Sequence, residues 1–258
     1  MRVLSLFSGG GLGDYGLELA GMTIVAQVEI DPYCQKVLAL RWPEVPKWGD
    51  IKIFDGKKFV KEFGQPDLIF GGFPCVDISS AGCKEGIKGS DSSLWKEMFR
   101  IICEIRPRFC FVENVSALLY RGLDVVLGDL ASIGFDAEWE CLPANAFGAP
   151  HRRFRVWIIG YPNKNSESIS TINDETCKLQ KTLSNTSIQR LQGDARPIIQ
   201  GNGCRLAMCD WWRSEPAVGR VDDGTPKRMD RLKLLGNGQV VQVVQWIGER
   251  IMEFEANP

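Results

Sequence analysis

Short apolar runs separated by helix-like segments most narrow what this chain can fold into. Residues 3–7 (VLSLF), 68–70 (LIF) and 108–112 (RFCFV) are too short for helices and too apolar for half-exposed strands. Each reads as a strand buried on both faces. Helical patterns lie between them. A Leu- and Ala-containing stretch runs to Gly21, and residues 32–41 are opened by Pro32 and closed by Trp42-Pro43. Residues 92–105 place Leu94, Trp95, Met98, Phe99, Ile102 and Ile105 on one face, and residues 123–133 form a further helix. Additional strands are predicted at 23–30, 137–142 and 156–159, and a last helix at 240–252. Strands alternating with helices predict an α/β fold built on a doubly wound sheet.

In such sheets chemistry collects at the carboxyl ends of the strands. Residues 68–70 run into Gly71-Gly72 and then Phe73-Pro74-Cys75, followed by a Ser/Ala/Gly-rich loop that cannot pack a core. Pro74 fixes one backbone torsion beside the thiol, and the glycines admit close approach of another group. Alone, Cys75 reads equally well as a nucleophile or as a small buried hydrophobe. The second strand ends at Glu29, about eighteen residues beyond Gly11, where nucleotide-binding folds keep a carboxylate for ribose hydroxyls. Gly11, Gly13 and Gly16 satisfy G-x-G-x-x-G, a pattern also met by a plain tight turn. Asp50 offers a second carboxylate, and Glu113 closes the strand at 108–112. A thiol, a proton-carrying glutamate and a nucleotide-type pocket form one consistent set.

Charge is unevenly spread. Residues 151–235 hold 15 Lys/Arg against 9 Asp/Glu, whereas the remainder holds 16 against 23, giving a net charge of −1 for the 258 residues. A basic segment on an acidic body suits a nucleic-acid contact confined to one part of the molecule. Nine cysteines without a C-x-x-C pair, with His151 as the one histidine, argue against a zinc cluster and for reduced thiols. No apolar run approaches a membrane span and the N-terminal residues lack signal-peptide character, so a cytoplasmic monomer without metal or membrane contact is expected. Residues 163–210, rich in Asn, Ser, Thr and Gln, lack readable periodicity.

Five motifs in order carry a family resemblance: Phe7-Ser8-Gly9-Gly10-Gly11, Gly72-Phe73-Pro74-Cys75, Glu113-Asn114-Val115, His151-Arg152-Arg153-Phe154-Arg155 and Gly236-Asn237. Over residues 1–160 and about 211–258 the chain resembles the S-adenosylmethionine-dependent cytosine-C5 DNA methyltransferases. The resemblance implies a Rossmann-like methyltransferase sheet at 1–160, a small irregular target-recognition lobe at 161–235, and a C-terminal helix at 236–258 returning to the catalytic domain. It implies Cys75 as the nucleophile adding to cytosine C6, with Glu113 on N3 and the exocyclic amine. Arg153 would meet the C2 oxygen and Arg155 would support the site. It also implies S-adenosylmethionine held by Phe7, Gly9, Gly11, Glu29, Asp50, Pro74, Leu94 and Asn237. For Leu94 and Phe7, plain core packing stays open.

The expected activity is transfer of a methyl group to C5 of a cytosine flipped out of double-stranded DNA. The transfer-RNA-methylating branch and a non-catalytic nucleic-acid-binding relative are the alternatives. An oxidoreductase would rest only on the glycine pattern and Glu29. His151 stands where the family has Gln, and Gly238 where Ser is common. A place in a restriction-modification system, a phage counter-defence and a solitary methylase fit equally.

Overall fold

In a computed structural model, residues 1–74, 93–163 and 228–256 are described. Seven strands form one sheet: β1 (Arg2–Leu6), β2 (Thr23–Val28), β3 (Lys47–Trp48), β4 (Leu68–Gly71), β5 (Phe109–Val115), β6 (Phe135–Pro143) and β7 (Phe154–Pro162). Their order is β3-β2-β1-β4-β5-β7-β6. The first five run parallel, and β7 lies antiparallel between β5 and β6. From β1 the chain builds outward through β2 and β3, then crosses back to place β4 on the other side of β1. Loops leaving β1 and β4 therefore diverge and leave a crevice between them.

The central strands feed two cores by strict alternation. Leu4, Leu6, Ile69, Cys110 and Val112 face one side. Val3, Leu68, Phe70, Phe109 and Phe111 face the other. The first side is covered by α4 (Ser93–Ile105) through Trp95, Met98 and Ile102, and by α6 (Leu123–Ser132) through Val126 and Leu130. The second is covered by α1 (Leu12–Leu19) and by the last helix, α8 (Val241–Ala256), through Leu17, Val244, Ile247 and Ile251. Burial on both faces is what the apolar runs demanded.

Helix α2 (Pro32–Arg41) has the expected bounds; Asp31 caps it by accepting from the Tyr33 and Cys34 amides. Three elements were not anticipated. The strand β3 is only two residues long, too short to show a period. Helix α3 (Gly56–Phe63) is capped by Asp55 and stopped by Gly64 at φ +82°. Strand β5 continues through Val115, so Glu113 lies within the strand rather than just beyond it. Likewise β7 extends to Pro162, and α7 (Arg228–Asn237) takes in Gly236 and Asn237, expected as a turn before the last helix. A short helix, α5 (Leu118–Arg121), follows β5. Most of the segment expected as a recognition lobe lies outside the described residues, as does Cys75. Among the described residues no helix is long and apolar enough to cross a membrane, and no cluster of metal-ligating side chains occurs.

Candidate active site

A cavity of about 700 Å³ opens at the β1/β4 switch. That is the volume of a small-molecule or cofactor site. Its wall includes Phe7, Gly9, Glu29, Asp50, Pro74 and Leu94 from the predicted cofactor set. Asn237, Glu113, Arg153 and Arg155 line it too. Gly11 does not. It stands at φ +79° at the start of α1, and a Cβ there would lie 2.3 Å from the Trp42 ring. The residue is glycine for backbone hand and for packing on α2. Gly13 and Gly16 are similarly explained: a Cβ would strike Phe70 at 2.5 Å or the Val241 carbonyl at 2.8 Å. Of the loop glycines, Gly9 reaches the cavity, with nothing within 4 Å of where its Cβ would be.

Glu29 organises the β1 side. One carboxylate oxygen accepts from the Gly9 amide at 2.7 Å and the other from the Asp31 amide at 2.7 Å. Each oxygen keeps capacity for a further donor. Under this loop Asp14 accepts from the Ser5 hydroxyl (2.6 Å) and from Gln27 Nε2 (2.7 Å). The Ser5 and Ser8 hydroxyls lie 2.9 Å apart. The network ties β1, β2 and α1 together beneath the turn. Burial pushes the Asp14 carboxyl up to about 6, against the two hydrogen bonds, which lower it. Asp50 Oδ1 accepts from the Lys52 amide, leaving Oδ2 without a partner among the described residues. Two carboxylates, an aromatic wall at Phe7 and an open Gly9 suit a nucleoside carrying a positive charge.

Glu113 anchors the β5 side. Its side chain is 10% exposed, and Arg155 Nε pairs with Oε1 at 3.0 Å. Burial raises its proton affinity; the Arg155 and Arg153 charges oppose this but do not win. The carboxyl is therefore poised to hold a proton once covered. Next to it, Asn114 Nδ2 donates to the Phe73 carbonyl at 3.1 Å, tying β5 to the loop that leads into Pro74. Sequence reasoning read the Glu-Asn-Val motif through Glu113 alone and passed over this use of Asn114.

The two arginines make different contacts. Arg155, expected to support, is the one paired with Glu113. Arg153 donates from Nη1 to the Gly236 carbonyl (2.8 Å) and from Nη2 to that of Gly238 (2.9 Å). It ties the start of β7 to the end of α7, and its backbone holds φ +24° to do so. Among the described residues only Phe7, Arg106 and Arg153 are non-glycine residues at positive φ, and two of the three line the cavity. Helix α7 closes the far wall: Lys233 Nζ pairs with Asp31 at 2.8 Å, and Leu234 fills the space beside Gly10.

Comparison with known proteins agrees with this arrangement. The C-5 cytosine-specific DNA methylase family matches residues 1–216. The type II methyltransferase M2.BsuMI of Bacillus subtilis (strain 168) is 36% identical over 303 aligned positions, covering 98% of this chain and 76% of that protein. M.CviJI of Paramecium bursaria Chlorella virus IL3A is 31% identical, covering 74% of this chain and 55% of that protein. Among solved structures, a candidate DNA modification methyltransferase encoded within an E. coli prophage superposes with a TM-score of 0.53 at 27% identity. The match covers 63% of this chain and 47% of that one. The S. pombe Dnmt2 methyltransferase shares the fold at 23% identity and a TM-score of 0.53, over 63% of this chain and 51% of its own. Apart from the first relative, the chain spans about half the length of these proteins. With the family matched across most of its length, the chain belongs to the C-5 cytosine-specific DNA methylases.

Proposed function

We propose that this chain methylates C5 of cytosine in double-stranded DNA, using S-adenosylmethionine and a base turned out of the helix. The observation that carries the reading is the joining, in one cavity, of a nucleoside-type cradle (Phe7, Gly9, Glu29, Asp50) to the buried Glu113–Arg155 pair. In that cradle Glu29 would accept from ribose hydroxyls and Asp50 Oδ2 from an adenine amine, with Phe7 and Leu94 against the ring. Asn237 and Pro74 would complete the walls. S-adenosylmethionine, when bound, supplies a methyl group made electrophilic by its sulfonium.

The chain's residues prepare the base to take it. C5 of cytosine is a poor nucleophile until addition at C6 breaks the ring's conjugation and gives C5 enamine character. The Cys75 thiolate forms a bond to C6, and the displaced ring electrons are met by a proton from Glu113 at N3. Arg155 holds Glu113 Oε1 and presents Nη2, which has no partner among the described residues, toward the C2 oxygen. Arg153 acts through the Gly236–Gly238 backbone. Once C5 carries the methyl, water takes the C5 proton, the thiolate leaves C6 and N3 returns its proton to the Glu113 carboxylate, which restores the aromatic ring and resets the site. Type II methyltransferases among the relatives favour a place in a restriction-modification system.

Incubation with labelled S-adenosylmethionine and mixed-sequence DNA should leave 5-methylcytosine in the DNA. Label appearing only in a parallel incubation with total transfer RNA would overturn the DNA reading.

A further inference from the structure

Seven polar or charged side chains are buried among the described residues: Ser5, Ser8, Asp14, Gln27, Glu113, Asn114 and Gln239. Six make hydrogen bonds or ion pairs. Gln239, 9% exposed on the cavity wall, has no partner among the described residues. Its amide atoms are not sealed in the core but open onto the cavity, where a ligand can meet them. The neighbouring groups say which part of the cavity that is. A Cβ at Gly72 would lie 2.6 Å from Glu113 Oε2 and 2.8 Å from Gln239 Nε2. Gly72 thus leaves bare backbone beneath two polar ends that do not bond to each other. Glu113 Oε2 has no partner among the described residues, since Arg155 takes Oε1.

We propose that Gln239 is a substrate-contacting residue of the base pocket, reading the same edge of the pyrimidine as Glu113. An exocyclic amine carries two N–H groups. One is met by Glu113 Oε2 and the other by the Gln239 carbonyl oxygen, after a half-turn of the carboxamide that no existing hydrogen bond resists. The sequence context agrees. At Gly238 a Cβ would lie 2.3 Å from Leu12, so the Ser common at this point is excluded without a shift. The next residue brings a polar group into the cleft instead. The inference rests on the cytosine-methylating reading and adds a residue to it.

The test uses the whole chain with Gln239→Leu and, as a more pliable apolar replacement, Gln239→Met. DNA carrying 5-fluorocytosine, which cannot lose a C5 proton, traps the Cys75 adduct in the presence of S-adenosylmethionine. Both variants should melt close to the parent, because Gln239 makes no hydrogen bond among the described residues that the replacement would remove. Both should bind S-adenosylmethionine with parental affinity by calorimetry. Both should form the adduct on the order of tenfold more slowly, the scale of one lost hydrogen bond in a closed site. Adduct formation within about twofold of the parent overturns the inference. So does slower trapping accompanied by a lower melting temperature or lost S-adenosylmethionine affinity, which would make Gln239 structural or part of the methyl-donor site. A parent chain that forms no adduct would instead overturn the cytosine-methylating reading itself.

Discussion

At the scale of single residues, Glu113 and Asp14 show how one physical cause serves two ends. Both are acids raised by burial. Glu113 meets the cavity, where a raised proton affinity would serve the proposed chemistry; Asp14 lies beneath the loop, where the same effect weakens the fold. Replacing Glu113 with Gln keeps the shape but removes the transferable proton. Methyl incorporation should fall by about 10²-fold or more, with S-adenosylmethionine binding intact. In the parent, activity should decline as pH rises through the raised Glu113 value, because the proton donor is lost. For Asp14, the native chain holds its proton up to about pH 6 while the unfolded chain releases it near 3.8. Stability is therefore greatest below about pH 4, is lost progressively up to about pH 6, and is level above; the loss is on the order of 3 kcal/mol. Asp14→Asn should be more stable than the parent at pH 8 and near parental at pH 4. The unpaired Gln27 Oε1 can turn to accept from the new amide. Denaturant titrations at the two pH values check this, and an equal gain at both would contradict it.

At the scale of elements, helix α1 packs closely on α8, which comes back from the other end of the sequence. A Cβ on Gly16 would lie 2.8 Å from both the Val241 carbonyl and Val244 Cβ, and one on Gly248 would lie 2.8 Å from Ala20 Cβ. Gly16→Ala should cost about 1–3 kcal/mol of stability by overpacking. S-adenosylmethionine affinity, measured by calorimetry below the melting range, should be unchanged; a lost ligand site with an intact fold would return Gly16 to the cofactor loop. The same contrast shows what was legible in the sequence. Strands buried on both faces, and helices such as α2 with its Asp31 cap and Pro32, announce themselves through local chemistry. Helix α3 carried comparable signals in Asp55 and Gly64, but its apolar positions, Phe59, Val60 and Phe63, sit among lysines that blur the pattern. The motif residues at strand ends converged because a parallel sheet puts those ends along one edge. What could not be read locally was any role set by distant packing. Arg153 and Arg155 are alike in sequence, and only the carbonyls of Gly236 and Gly238, more than eighty residues away, separate them. Arg153→Met should lower stability by about 2 kcal/mol and weaken S-adenosylmethionine binding at Asn237. Arg155→Met should leave that binding intact while slowing capture of the base, and comparing calorimetry with adduct formation resolves the two.

At the scale of the whole molecule, the cavity is shared between the β1 and β4 loops and a helix that arrives late in the chain. Helix α7 meets the body through Leu234 at Gly10, Leu12 at Gly238, and the Lys233–Asp31 pair across the cavity mouth. A ligand held between these segments binds only when they are together, so occupancy resists global unfolding. At a hundredfold excess over its Kd, S-adenosylmethionine should add about 2.7 kcal/mol. For a chain of this length that is an upward shift in Tm of about 5–10 °C. The Lys233 end of the pair with Asp31 is exposed to solvent, so the pair contributes little by itself. Its geometry matters more, because the pair links α7 to the rim of the cavity that Glu29 and Asp50 line. Lys233→Ala should accordingly leave the unliganded Tm nearly unchanged and reduce the shift caused by S-adenosylmethionine. High salt should reproduce the effect in the parent by screening the same pair. Scanning calorimetry with and without ligand, at low and high ionic strength, measures both. A ligand-induced shift identical in parent and variant would mean that the contacts of Leu234 and Arg153 alone hold α7 in place.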